Sequence, residues 1–231
     1  MSGATADATT WAILVAAGDG ARLNVGRPKA FVALGGRPLL AESLERLDLS
    51  DWIDAIVVVA PPEWEEQTIL LAEELAVSKV ASVVAGGATR AESVRIGLAE
   101  VADEALVVVV HDAARPLLAD DVLERVLGGL ADGSAGCVPA IPVADTLKRV
   151  AGEHVSETVD RSALVAVQTP QSFVAAALRR AYEGELSGAT DCASLVERTG
   201  GRVRTVAGDQ RLHKVTTEDD LRLVTSWLES G

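Results

Sequence analysis

The chain is poor in cysteine and in positive charge, and it has no long apolar run. Of its 231 residues only Cys137 and Cys192 are cysteines. They stand far apart with no C-x-x-C, which argues against a disulfide framework and a zinc site and suits two reduced, partly buried thiols in a cytoplasmic protein. Lysine and arginine number 21 against 34 aspartate and glutamate, a net charge of −13. A field of that sign repels nucleic acid and anionic lipid, so neither is expected as a partner, and any anionic ligand has to be captured locally. The longest apolar runs, such as Ala105 to Val110, reach about a third of the ~18 residues that span a bilayer, so no membrane is expected either. Met1 to Thr10 carry no lysine or arginine ahead of an apolar stretch and lack the charged start of a signal peptide. These first ten residues read as disordered, ahead of one domain over 11–231.

Several motifs are missing as well. No Gly-Lys pair occurs, which removes a P-loop ATPase. G-x-S-x-G and H-E-x-x-H are absent, and His111, His154 and His213 lie in unrelated segments, which argues against hydrolase triads and zinc. The first glycine-rich turn has Ala21 and Leu23 where a dinucleotide fingerprint needs a third glycine, and the second strand closes on Ala60-Pro61 instead of an acid. No repeat of 20 to 50 residues is visible.

What is present is an alternation. Trp11 to Ala17, Ala55 to Ala60, Val80 to Ala85, Ala105 to Val110, Gly136 to Pro139 and Leu164 to Gln168 read as buried strands. Leu39 to Leu47, Glu63 to Glu74, Arg90 to Ala102 and Asp120 to Leu130 carry helical spacing between them. The pattern predicts an α/β fold, a mostly parallel sheet with helices on both faces, and 48% hydrophobic residues suffice for its core without staples. Thr89 with Glu92, and Thr217 with Asp220, mark two helix starts as capping boxes. Between about 139 and 161 the pattern breaks into a protruding hairpin arm, Val143 to Val150 and His154 to Val159, around a turn at Ala151 and Gly152. A two-stranded hairpin is marginal alone in water, so a second copy of the chain is the expected support, making a homodimer.

In an open parallel sheet, ligands sit beyond the carboxyl ends of the strands. The first strand is followed by Ala16-Ala17-Gly18-Asp19-Gly20-Ala21-Arg22-Leu23 and then Pro28-Lys29. The third is followed by Gly86-Gly87-Ala88-Thr89-Arg90, the fourth by His111-Asp112-Ala113-Ala114-Arg115-Pro116, and the sixth by Gln168-Thr169-Pro170-Gln171. Small residues let backbone donors approach phosphate, and cations flank them, so these ends describe a cleft for a nucleotide plus a second anion. His111 reads as a strand-end histidine bonded to a backbone carbonyl in preference to a catalytic base.

Together, A-A-G-x-G-x-R at Ala16 to Arg22 with Pro28-Lys29, V-H-D-A-A-R-P at Val110 to Pro116, D-T-L-K at Asp145 to Lys148, T-V-D-R at Thr158 to Arg161, Q-T-P-Q at Gln168 to Gln171, T-D at Thr190 and Asp191, and K-V-T at Lys214 to Thr216 form a narrow set. On these residues the chain resembles the 2-C-methyl-D-erythritol 4-phosphate cytidylyltransferases, from about Ala12 to Leu228. The resemblance implies a single three-layer, Rossmann-like nucleotidyltransferase domain. It implies transfer of a cytidylyl group from CTP to methylerythritol phosphate with release of pyrophosphate, a step of non-mevalonate isoprenoid synthesis. Arg22 and Lys29 become the catalytic stabilisers of the five-coordinate phosphorus. Ala16, Ala17, Gly18, Gly20, Gly87, Ala88, Arg90, Ser93, Asp112 and Ala113 become the nucleotide site, with cytosine read by the Gly86-Gly87-Ala88 backbone and the Ser93 hydroxyl. The acceptor falls to Asp112, Arg115, Thr169 and Lys214 of one subunit and to Thr146 and Arg161 on the arm of the other. Mg²⁺ is implied as cofactor, held mostly by the CTP phosphates, with Asp112 the carboxylate positioned near it or near the ribose. Ribitol 5-phosphate, a polyol phosphate close in size and charge, stands as the rival acceptor. A CTP-sensing module without catalysis is the other rival, and it predicts loss of the cations that Arg22 and Lys29 retain.

Overall fold

The computed structural model describes residues 9–18, 20 and 26–230. The described chain opens on β1 (Thr10–Val15), which is buried on both faces: Trp11 and Ile13 join one apolar cluster, Ala12 and Leu14 the other. A 3-10 turn (Lys29–Phe31) and two short paired strands, β2 (Ala33–Leu34) and β3 (Arg37–Pro38), lead into α1 (Leu39–Leu49) and β4 (Ala55–Ala60). Then come α2 (Glu65–Glu74), β5 (Val80–Ala85), α3 (Arg90–Ala99), β6 (Val107–Asp112), α4 (Asp120–Gly128) and β7 (Gly136–Pro142). The remainder is β8 (Leu147–Ala151), β9 (His154–Val159), β10 (Val165–Val167), β11 (Gln171–Val174), α5 (Ala175–Glu183), α6 (Cys192–Arg198), β12 (Val203–Ala207) and α7 (Glu218–Ser230).

The main sheet has the order β10-β7-β11-β6-β1-β4-β5, with β12 added on β7. β1 pairs in parallel with β4 and β6, β4 with β5, and β12 with β7, while β10 and β11 run antiparallel to their neighbours. From β1 the chain moves outward through β4 to β5, and α3 then carries it back across to β6 on the other side of β1. Crossovers of one hand run in opposite directions must lie on opposite faces. Accordingly α1 and α2 pack Leu44 and Leu71 into one cluster and α3 packs Val94 into the other; α4, which crosses in the same direction as α3, nevertheless adds Val126 to the first cluster, and α5 and α6 add Leu178 and Leu195 to the second. The crevice opens where the strand order reverses, beyond the carboxyl ends of β1, β4 and β6. A third cluster of Val32, Leu34, Leu39, Leu117, Val215 and Val224 seats α7 beside the β2–β3 pair.

Several elements differ from the sequence reading, most of them at their ends. Thr10 already belongs to β1, and Thr9 is tied down, its N–H donating to Asp54 Oδ2 at 2.9 Å; residues 1–8 lie outside the described residues. β5 is a half-exposed edge strand. The run Leu164 to Gln168 holds only the short, exposed β10, and the strand buried against β6 is β11. β11 hides its polar residues by bonding them: Ser172 Oγ donates to the Val126 carbonyl at 2.6 Å, beside a fully buried Phe173. In the hairpin, Ala151 still pairs with His154, so the turn is Gly152-Glu153, entered through a left-handed glycine at φ +60. β8 and β9 form an exposed two-stranded sheet of their own, and Val143 to Thr146 precede it outside the ladder.

Candidate active site

The ends of β1, β4 and β6 are stitched by backbone bonds. Ala16 N donates to the Val59 carbonyl, Gly86 N to Ala60 and Ala113 N to Val15, at 2.9, 2.9 and 3.0 Å. Above them is a cavity of about 430 Å³. Its wall includes Ala16, Ala17, Gly18 and Lys29 after β1, and Asp112 and Ala113 at the end of β6. The opposite side is Gly87, Ala88, Arg90 and Ser93, with Lys214 reaching in from the loop before α7. Gly20 sits just outside this wall at φ +68, where a Cβ would lie 2.9 Å from Lys29 Cβ, so the glycine-rich segment crosses directly over the Lys29 backbone. Arg22 lies outside the described residues.

The turn after β5 is shaped by close contact. A Cβ at Gly86 would meet Ala17 Cβ at 2.2 Å, and one at Gly87 would meet Glu92 Cβ at 2.6 Å, so neither position accepts a side chain without displacement. Ser93 Oγ accepts the Gly87 N–H at 3.1 Å. The Thr89–Glu92 capping box closes reciprocally at 3.1 Å each way, fixing the start of α3. The result is a rigid, narrow surface of backbone donors and acceptors.

Asp112 is the centre of the polar network. Arg90 Nε donates to its Oδ1 at 2.8 Å and Lys214 Nζ to its Oδ2 at 2.6 Å. Burial alone would raise this carboxyl; Arg90 and Lys214 outweigh it and hold the group well below the ordinary carboxylate range. The Asp112 N–H donates to Thr169 Oγ1 at 3.0 Å. The Thr169 hydroxyl in turn faces His111 Nδ1 at 3.2 Å, while His111 Nε2 faces the Arg115 carbonyl at 3.1 Å. A carbonyl only accepts, so Nε2 carries the proton and Nδ1 accepts from Thr169. Burial pushes His111 down to about 4, which leaves a neutral ring sealed under the site, as the sequence reading of a carbonyl-bonded histidine expects.

Arg115 faces a second cavity of about 440 Å³ together with Gln168, Gln210, His213, Lys214 and Trp227. Its Nη1 donates to the Leu212 carbonyl at 2.5 Å. Lys214 lines both cavities and joins them. Thr169 supports Asp112 from beneath and is not on either cavity wall, and Thr146 and Arg161 are exposed beside the hairpin and line neither cavity. Arg161 Nη1 instead donates to the carbonyls of Ala144 and Val143. Within one chain the expected acceptor residues therefore fall into two separated groups.

Among the described residues no group of three His, Cys, Asp or Glu side chains could hold a metal ion. Asp112 is the one carboxylate among the described residues that line the first cavity, and each of its oxygens already bonds a cation. The described side chains thus make no metal cage of their own.

Sequence reasoning missed Ala30, Leu39 and Pro62, which also line the first cavity. It also missed the contact of Phe31 with Trp64, ring centroids 4.6 Å apart, which ties the turn bearing Lys29 to the loop after β4. Nothing in the sequence pointed to Cys192, whose sulfur lies 3.5 Å from Arg90 Nη1.

The chain is similar to known proteins over nearly its whole length. It is 46% identical over 230 residues to "2-C-methyl-D-erythritol 4-phosphate cytidylyltransferase" of Nocardia farcinica (strain IFM 10152), covering 99% of this chain and 98% of that one. Among solved structures, a 4-diphosphocytidyl-2C-methyl-D-erythritol synthase superposes with a TM-score of 0.81 at 35% identity, covering 95% of this chain and 98% of the other. The 2-C-methyl-D-erythritol 4-phosphate cytidylyltransferase of Thermus thermophilus gives 0.75 at 33% identity, over 94% and 98%. The sequence profile of the same family matches residues 10–230, so the chain belongs to the 2-C-methyl-D-erythritol 4-phosphate cytidylyltransferases.

Proposed function

We propose that this chain transfers the cytidylyl group of CTP to the phosphate of 2-C-methyl-D-erythritol 4-phosphate, releasing pyrophosphate. The observation that carries the reading is the pair of cavities joined at Lys214, one walled by strand-end backbone and the other by Arg115. An oxygen of the acceptor phosphate attacks the α-phosphorus of CTP; the bond from that phosphorus to the bridging oxygen breaks, and pyrophosphate leaves with the electron pair. The nucleophile is already an anion, so no general base is required, in keeping with the sealed, neutral His111. Catalysis is alignment of two mutually repelling phosphates plus stabilisation of the extra charge of the transition state.

Lys29, on the cavity wall, and Arg22 supply that charge. The narrow Gly86-Gly87-Ala88 turn reads cytosine and excludes purines by size, with Ser93 holding the turn. Lys214, aimed by Asp112, and Arg115 receive the acceptor. Mg²⁺ carried in with the triphosphate would neutralise phosphate charge, with Asp112 the carboxylate placed near it. Thr146 and Arg161 complete the acceptor site from a second subunit, with the β8–β9 hairpin as the dimer contact. Two free buried thiols suit the reducing cytoplasm. Among the described residues no helix is long and apolar enough to cross a membrane.

The test is pyrophosphate release from purified protein. Methylerythritol 4-phosphate is compared with ribitol 5-phosphate under CTP, and CTP with ATP, GTP and UTP. Release with CTP and methylerythritol phosphate is the expected result. Preference for ribitol phosphate overturns the acceptor, and silence throughout overturns the enzyme.

A further inference from the structure

Cys192 and Tyr182 lie behind the cavity wall and have no part in the reaction above. Cys192 opens α6 and is fully buried. Its sulfur accepts an N–H bond from Arg90 Nη1 at 3.5 Å, and the Tyr182 hydroxyl donates to the same sulfur at 3.2 Å. The other edge of that guanidinium faces Asp112. Nε donates to Oδ1, and Nη2 approaches the same oxygen at 2.8 Å without the alignment of a hydrogen bond. Oδ2 is thereby left to Lys214 at 2.6 Å.

A guanidinium is a flat, rigid fork, so a stop against one edge sets the direction of the other. We propose that Cys192, backed by Tyr182, is a positioning residue for the transfer: it fixes Arg90 so that Asp112 presents its second oxygen to Lys214, and through Lys214 it places the acceptor phosphate. The inference rests on the preceding functional reading and deepens its acceptor site.

Two features make the sulfur a stop and not a follower. Asp191, which caps α6, accepts from Ser194 N at 2.9 Å and from Gln171 Nε2 at 2.9 Å, so the fold sets where Cys192 stands. Burial raises the Cys192 thiol above its ordinary range, so it meets Arg90 as a neutral acceptor and not as a counter-ion. The consequence is also confined. The Gly86–Thr89 turn is held by its own capping box and by Ser93, neither of which uses the Arg90 guanidinium. The cytosine-reading turn is therefore insulated from the sulfur, whereas Arg90, Asp112 and Lys214, which also line the first cavity, are not, so CTP feels the sulfur less than the acceptor does.

The experiment is steady-state kinetics of wild type, Cys192→Ala, Cys192→Ser and Tyr182→Phe, with NMR of the arginine side chains in nitrogen-15 arginine-labelled protein; an Arg90→Lys sample assigns the Arg90 signals. Loss of one hydrogen bond to a charged group predicts that Cys192→Ala raises KM for methylerythritol phosphate about tenfold, raises KM for CTP clearly less, about threefold at most, and lets the Arg90 Nη signals average. Cys192→Ser, which restores an acceptor, returns both to within about threefold of wild type, and Tyr182→Phe falls between. An unchanged acceptor KM in an active Cys192→Ala enzyme, an equal rise in both KM values, or Arg90 signals indifferent to the sulfur overturns the inference. A wild-type protein silent with these substrates overturns the functional reading instead; Arg90 pinning is then decided by the spectra alone.

Discussion

The two halves of the acceptor site are built by opposite means. Asp112 stands at the end of a strand buried on both faces and aims Lys214, and every partner that holds the pair is in the same chain. Thr146 and Arg161 flank a hairpin with no core of its own, whose Val150 and Val155 are 61% and 60% exposed. The first half is organised before any ligand arrives. In the function proposed above the second takes its working position from another subunit, and the contrast locates the part of that reaction that would depend on assembly.

The largest effect is expected where that division is forced. Arg161→Glu sets a carboxylate against the acceptor phosphate and should cut turnover more than roughly a thousandfold, about 4 kcal/mol, while calorimetry finds CTP binding intact. Turnover within a few-fold of wild type would remove the hairpin flank from the site. Lys29→Ala probes the other half: kcat should fall by roughly 10² to 10³, about 3 to 4 kcal/mol, with CTP affinity changed far less, if Lys29 acts on developing charge. Equal losses in kcat and affinity would make it a ground-state binder.

His111 sharpens the comparison through pH. Its folded value of about 4 lies below the ordinary 6.5, so the unfolded chain binds more protons between those limits and stability rises with pH across that window. Denaturant titrations should lose about 3 kcal/mol between roughly pH 6.5 and pH 4, and the slope should vanish in His111→Asn. Asp112 acts lower down. Its carboxyl is held under the ordinary 3.8, so its contribution is intact above that value and is lost only as pH falls through the folded one. The smallest effect belongs to the hairpin. Val155→Thr should cost no more than about 0.5 kcal/mol in dilute protein, against about 2 for Val109→Thr in the fully buried centre of β6. A larger loss for Val155→Thr that grows with protein concentration would report its burial by a second copy.

These contrasts also explain what the sequence made legible. Uninterrupted apolar runs disclosed β1, β4 and β6, and local side-chain chemistry disclosed the Thr89 and Thr217 helix starts, because both signals are complete within a few residues. The strand-end rule then led to most of the first cavity. β11 escaped because Gln171 and Ser172 look like turn residues until their partners at Asp191 and Val126 are known. The destination of Arg90 escaped for the same reason: Asp112 and Cys192 lie 22 and 102 residues away along the chain. Lys214, in a loop without regular structure, was marked only by resemblance.

Lys214 lines both cavities while its ammonium is bound to a single carboxylate oxygen. One side chain shared between two pockets makes their occupancies interdependent. Whatever factor the nucleotide imposes on acceptor affinity, the acceptor imposes on the nucleotide, as thermodynamic linkage requires. The coupling between the two substrates thus runs through one ammonium group, and binding titrations of each substrate in the presence of the other will yield the same ratio.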